Sequence, residues 1–157
     1  MKKNSRIIVV ALIIFIIIAA VLGIFLYNRE HRVEETKQEA KELVEESVSI
    51  GDFKKKLEEA GLKIDLETEN TECNLIGASE GSSYMISDTL IQVYKFDFNK
   101  SDELTVSNLK KAKESGKVVM PSFNNYELKV VYNKGLILVN VEDHPDKDKI
   151  LEVFNNL

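Results

Sequence analysis

Ser82-Ser83-Tyr84-Met85-Ile86-Ser87-Asp88-Thr89-Leu90-Ile91-Gln92-Val93-Tyr94-Lys95-Phe96-Asp97 is the stretch whose reading decides the fold. Aromatic and β-branched residues fill both arms, and Ser87-Asp88 supplies turn chemistry between them. Ser82 to Ile86 and Thr89 to Asp97 are therefore expected to pair as a β-hairpin.

Upstream of this hairpin, Asp52-Phe53-Lys54-Lys55-Lys56-Leu57-Glu58-Glu59-Ala60-Gly61 reads as a helix. Phe53, Leu57 and Ala60 share one face, and Gly61 is the stop signal. Leu62 to Leu66 is strand-like, and a polar loop runs through Glu69, Asn70 and Cys73.

Downstream, the helix pattern from Ser101 to Gly116 is followed by a strand at Lys117-Val118-Val119-Met120 and a loop from Pro121 to Asn125. Tyr126 to Tyr132 and Leu136 to Val141 then read as a second hairpin around Asn133-Lys134-Gly135, a turn needing positive φ. A closing helix, Asp146 to Asn156, places Ile150, Leu151, Phe154 and Leu157 on one face.

Helix-strand-strand-strand, written twice and closed by a helix, predicts an α+β domain. Its sheet is expected to be largely antiparallel, with helices on one face. A tandem αβββ duplication and the ordinary spacing of α+β elements both account for the order.

The N-terminus has a different character. Ile7 to Tyr27 contains no charged residue, and sixteen of its twenty-one positions are Ile, Val, Leu or Phe. As a helix it is about 30 Å long, the thickness of a hydrocarbon core. Its insertion is favourable by roughly 5 to 10 kcal/mol from those residues alone. A cleaved signal peptide has a shorter apolar region and a small-x-small site, whereas here Ile24 to Tyr27 continue past Val21-Leu22-Gly23. A lipoprotein signal requires a cysteine at the end of the run, and the single cysteine is Cys73. The segment is thus expected to be an uncleaved anchor.

Lys2, Lys3 and Arg6 precede the span without any acid. They place residues 1–6 in the cytoplasm as a short tail and the C-terminal part outside. Residues 28–50, rich in Glu, Lys and Ala, form a charged helical stalk, and residues 51–157 the extracytoplasmic α+β domain.

All 26 acids and 18 of the 21 basic residues follow Tyr27, leaving that part with a net charge of −8. This disfavours nucleic acid or an anionic lipid surface as its partner, since both need clustered cationic side chains. With one cysteine the domain has no internal disulfide and depends on a packed core.

Ile91 to Asp97, the helix end Glu114-Ser115-Gly116, and the hairpin from Tyr132 to Val139 together form a pattern met elsewhere. It resembles small, uncharacterised, lipoprotein-like domains tethered to the membrane in the envelope of Gram-positive bacteria. Those domains carry a lipid-modified cysteine, which a transmembrane helix replaces here. The resemblance implies fold and location and brings no activity with it.

Chemical motifs are few. The histidines are His31, just past the span, and His144, and no nucleophile elbow is present. Gly77-Ala78-Ser79-Glu80-Gly81 reads as a turn, since it lacks the Lys and Ser/Thr of a phosphate loop. Asp97-Phe98-Asn99-Lys100-Ser101 copies the first ligand spacings of a calcium loop, but Asp102 stands where its glycine belongs and Asn108 where its final Glu belongs. Asn99 or Ser101 capping the next helix explains it. Asp143-His144-Pro145-Asp146-Lys147-Asp148 is explained by a proline and acids at a helix start. No catalytic, cofactor-binding or metal-binding set is expected.

Tyr84, Tyr94 and Tyr132 read as half-buried strand residues with wet hydroxyls. Phe123, Asn124, Asn125 and Tyr126 form a candidate interaction loop, because loops on rigid scaffolds carry binding residues.

The expected function is a membrane-anchored, non-catalytic extracytoplasmic domain that binds an envelope protein or a cell-wall component. The alternative is a small-ligand sensor or hydrolase subunit using surface carboxylates, with a pocket near Asp97 or Asp143. The topology has a direct consequence. Protease added to intact protoplasts is expected to degrade residues 51–157, detected by an antibody to the C-terminus; a protected domain places it in the cytoplasm instead.

Overall fold

The computed structural model describes residues 48–97, 99 and 102–157, together with Leu22 and Tyr27. The expected tail (1–6), span (7–27) and stalk (28–50) lie outside the described residues, except for Leu22, Tyr27 and residues 48–50. Among the described residues no helix is long and apolar enough to cross a membrane.

Helix α1 (Ile50–Glu59) begins at a capping box. The Ser49 hydroxyl accepts from the Asp52 amide, and the Asp52 carboxylate accepts from the Ser49 amide, both at 3.0 Å. Two of the orphan donors at the helix start are satisfied reciprocally. The Asp52 carboxyl is held below its ordinary range, chiefly by the Ser49 hydroxyl that donates to it. Gly61, at φ 75°, ends the helix as expected.

Strand β1 (Leu66–Glu69) pairs with β2 (Glu80–Ile86), and β2 with β3 (Thr89–Lys95). Helix α2 (Glu103–Ser115) follows, then β4 (Lys117–Met120), β5 (Tyr126–Lys129), β6 (Val131–Asn133), β7 (Leu136–Val139) and α3 (Lys147–Asn155). The main sheet has five antiparallel strands in the order β1-β2-β3-β7-β6, and β4 and β5 form a separate two-stranded ribbon.

The expected first hairpin is present, with its turn at Ser87-Asp88. Both turn residues have positive φ, 50° and 59°. This is the primed geometry that matches strand twist.

The main sheet is covered on both faces, which corrects the expectation of helices on one face. Alternate strand residues sort into two apolar clusters. Tyr84, Ile86, Ile91, Val93, Leu136 and Leu138 meet Phe53 and Leu57 of α1 and Ile150 and Phe154 of α3. Tyr94, Ile137 and Val139 point the other way, against Leu109 and Ala112 of α2 and Val118 of β4. Every residue of β7 is buried, so this strand has no solvent face. On the first face Phe53 meets Phe154 edge-on, with ring centroids 5.3 Å apart.

Two further expectations are corrected. The strand expected at Leu62–Leu66 lies three to four residues further on, at Leu66–Glu69. Leu62 is buried as part of the connection, and β1 is exposed along its length, with Leu66 its one apolar residue. An edge strand of that kind lacks the alternation that identifies strands in sequence.

The single strand Tyr126–Tyr132 is broken at Val130. Its first part pairs with β4 and its second with β7. Val130 is buried, and its amide donates to the Gly116 carbonyl at 2.9 Å, which turns the chain between the two sheets. The second half of the domain is therefore not a spatial copy of the first, and a tandem αβββ repeat does not describe it.

Asn108 ties the ribbon to the rest. Its buried amide donates to the carbonyls of Ile76 and Val119, at 2.9 and 2.8 Å, and accepts from the Val119 amide at 2.8 Å. Asn108→Ala is expected to lower stability by about 2–4 kcal/mol, because it leaves buried backbone groups unpaired. Urea unfolding of the full chain in detergent, followed by circular dichroism, measures this. A loss below about 0.5 kcal/mol would show that the clamp is dispensable.

Candidate functional site

The candidate loop is the tip of the β4–β5 ribbon. Pro121 opens a short 3-10 turn, Pro121–Phe123, and Met120 faces Tyr126 across the closing pair. Asn124 and Asn125 both take left-handed conformations, with φ of 53° and 57°. Asparagine tolerates this region better than other side-chain-bearing residues, which is why two occur in succession. Phe123 and Tyr126 are 57% and 56% exposed, so two aromatic rings stand in solvent on one hairpin tip.

The ribbon beneath the tip is fixed. Val118 is fully buried, Met120 and Leu128 pack against the second cluster, and Asn108 holds both backbone groups of Val119. Lys117 and Glu127 form an exposed ion pair at 2.6 Å, and the Lys117 ammonium lowers the Glu127 carboxyl. The tip thus offers aromatic faces and amides, with no acid-base pair among its four residues.

The other sequence candidates are engaged structurally. His144 is buried; its Nδ1 accepts from the Asp146 amide at 2.9 Å, so Nε2 carries the proton and donates to the Ile86 carbonyl at 3.0 Å. Both nitrogens are occupied, and neither serves as a base or a ligand. The Asp146 carboxylate accepts from the Ser87 hydroxyl at 2.6 Å. His31 lies outside the described residues.

At the calcium-like spacing, the Asn99 amide donates to the Asp97 carboxylate at 2.9 Å, forming an Asx turn. Phe98, Lys100 and Ser101 lie outside the described residues. The helix cap is Asp102, which accepts from the Thr105 amide, in place of the expected Asn99 or Ser101. Among the described residues no three His, Cys, Asp or Glu side chains are grouped to hold a metal ion.

The Gly77–Gly81 segment is only partly a turn. Glu80 and Gly81 already belong to β2, and Gly77, at φ 77°, lets the Thr105 backbone approach to where a Cβ would be 2.8 Å away. Tyr84 is not half-buried with a wet hydroxyl: it is fully buried, and burial pushes its hydroxyl up to about 12. Tyr94 is also buried, and its hydroxyl oxygen accepts from Asn70 at 2.6 Å.

Sequence reading passed over one region. A hollow of about 550 Å³ lies beside the start of α1, lined by Lys54, Glu67, Glu69, Asn70 and Glu80 among others. Lys54 pairs with Glu67 at 2.5 Å, and Lys95 lies 3.9 Å from Glu80. A smaller hollow, about 160 Å³, lies between Lys117, Lys129 and Glu142. Neither hollow includes Asp97 or Asp143, where the alternative reading placed a pocket. Glu67 and Glu69 of the larger hollow carry no sequence signal, because β1 itself has none.

With this geometry the fold defines an α+β domain bearing an exposed aromatic loop. Compared with protein-family models, curated proteins and solved structures, the chain matches none.

Because both rings are exposed, the double change Phe123→Ala/Tyr126→Ala is expected to shift unfolding free energy by less than about 0.5 kcal/mol. A urea midpoint well below that of the unaltered chain would show that the aromatics are structural.

Proposed function

We propose that the chain is a single-pass membrane protein whose extracytoplasmic α+β domain is a non-catalytic binding module for an envelope protein or wall component. The span from Ile7 to Tyr27 is the anchor, and the β4–β5 tip is the contact surface. The resemblance to tethered envelope domains agrees with this placement.

One observation carries the reading: two exposed aromatic rings, Phe123 and Tyr126, stand on a ribbon clamped by Asn108. Ordering an aromatic side chain on a rigid tip costs little conformational entropy on binding, and its ring contributes a large contact area. Such rings dominate interface energies. Among the histidines, His144 has both nitrogens engaged, which argues against a histidine-based hydrolase in the described residues.

A photo-crosslinking residue placed at Phe123 or Tyr126 of the full chain in native membranes is expected to give discrete adducts. The same residue at the exposed Glu59 or Glu152 is the control. Adducts of equal yield and pattern at all four positions would remove the loop from the proposal.

A further inference from the structure

The outer edge of β1 has no strand partner among the described residues. The Asn70 amide donates to the Gly81 carbonyl at 2.8 Å, and Leu66 to Glu69 continue the same ladder. Antiparallel alternation then turns the backbone groups of Thr68 toward β2 and those of Glu67 and Glu69 outward. Two residues therefore present N–H and C=O groups to an incoming strand.

The two faces of this edge differ in chemistry. Glu67 and Glu69 stand opposite Tyr84 and Ser82, on the α1 side, where the 550 Å³ hollow opens. On the other side Leu66, Met85 and Leu90 are successive cross-strand partners and make an apolar row over three strands. Leu66 is 53% exposed, Leu90 39%, and Met85 is half-buried. No helix covers this end of the row among the described residues.

We infer that the β1 edge accepts an extended segment of a partner protein in which basic residues alternate with apolar ones. Added as a sixth strand, such a segment directs its cations toward Glu67 and Glu69 and extends the Leu66–Met85–Leu90 row on the opposite face. Main-chain bonds supply binding, and the alternation supplies specificity. A second copy of this chain is a poor occupant. Antiparallel pairing of two β1 edges sets Glu67 and Glu69 against the same acids, and like charges opposite one another are destabilising. Acidic side chains on an edge also deter indiscriminate pairing; Lys54 already pairs with Glu67, so the partner's cations are needed chiefly at Glu69. The inference rests on the domain being a binding module but uses a surface separate from the aromatic tip.

The probe is a fluorescein-labelled octapeptide alternating Lys and Val, with a block peptide of the same composition, four Lys then four Val, as control. Fluorescence anisotropy is read on the full chain in phosphatidylcholine nanodiscs at physiological salt. The alternating peptide is expected to bind, and Glu67→Gln/Glu69→Gln to weaken it roughly threefold to tenfold, the size expected for two cross-strand charge pairs. Glu69→Pro, which removes an outward donor without touching the ladder to β2, is expected to abolish binding. Circular dichroism checks that this variant is folded, and the Gln pair serves if it is not.

Phe123→Ala/Tyr126→Ala is expected to leave peptide binding unchanged, which separates failure of the edge from failure of the tip. Equal binding of the block peptide, no binding of the alternating one, or loss of binding in the Phe123/Tyr126 variant would each overturn the proposal. So would a concentration-dependent dimer in sedimentation that Glu69→Pro dissociates, since the occupant would then be a second copy.

Discussion

Strand β7 is the constraint on which the rest of the domain depends. Leu136, Ile137, Leu138 and Val139 are all buried, so both faces of the sheet must be covered wherever this strand runs. Leu136 and Leu138 require α1 and α3 on one side, and Ile137 and Val139 require α2 on the other. Pairing with β3 and β6 on its two edges satisfies its backbone. A strand apolar at every position is ordinarily a feature of parallel sheets between helical layers. Here an antiparallel sheet uses one.

Burial is uneven across the sheet as a consequence. It is complete at β7, partial at β3 and β2, and lost at β1, where all four residues are exposed. The second helical layer reaches β3 and β7 but leaves Leu66 and Leu90 exposed. On the other side of the molecule, the Asn108 amide and the Val130 turn divert β4 and β5 into a ribbon of their own. The two candidate surfaces, the aromatic tip and the open edge, both lie where the chain leaves the central packing. They sit at positions where side chains are not consumed by the core.

Local chemistry made several features legible. The β2–β3 hairpin followed from strand-forming residues around Ser87-Asp88, and the helix ends from Gly61 and Gly116. The apolar face of α3 followed from Ile150 and Phe154. The loop at Phe123 was legible because Pro121 and two asparagines are turn residues, and its exposure agrees. Three features were hidden. The division at Val130 depends on an amide finding Gly116, fourteen residues earlier in the chain. The edge strand β1 has no alternation to read. Coverage of both faces depends on where α2 packs, and its own apolar pattern names no partner.

The sequence by itself determined the element types, the strong turns, and an apolar stretch at Ile7–Tyr27 of membrane-spanning length. Propensity, periodicity and length act over a few residues, or one helix, and need no distant partner. Only the tertiary structure decided which strands pair, which faces are covered, and which acids share a hollow. Those outcomes depend on contacts between residues far apart in the chain. Glu67, Glu69 and Glu80 become neighbours only when β1 closes on β2, and Leu66, Met85 and Leu90 form a row only once the register is set.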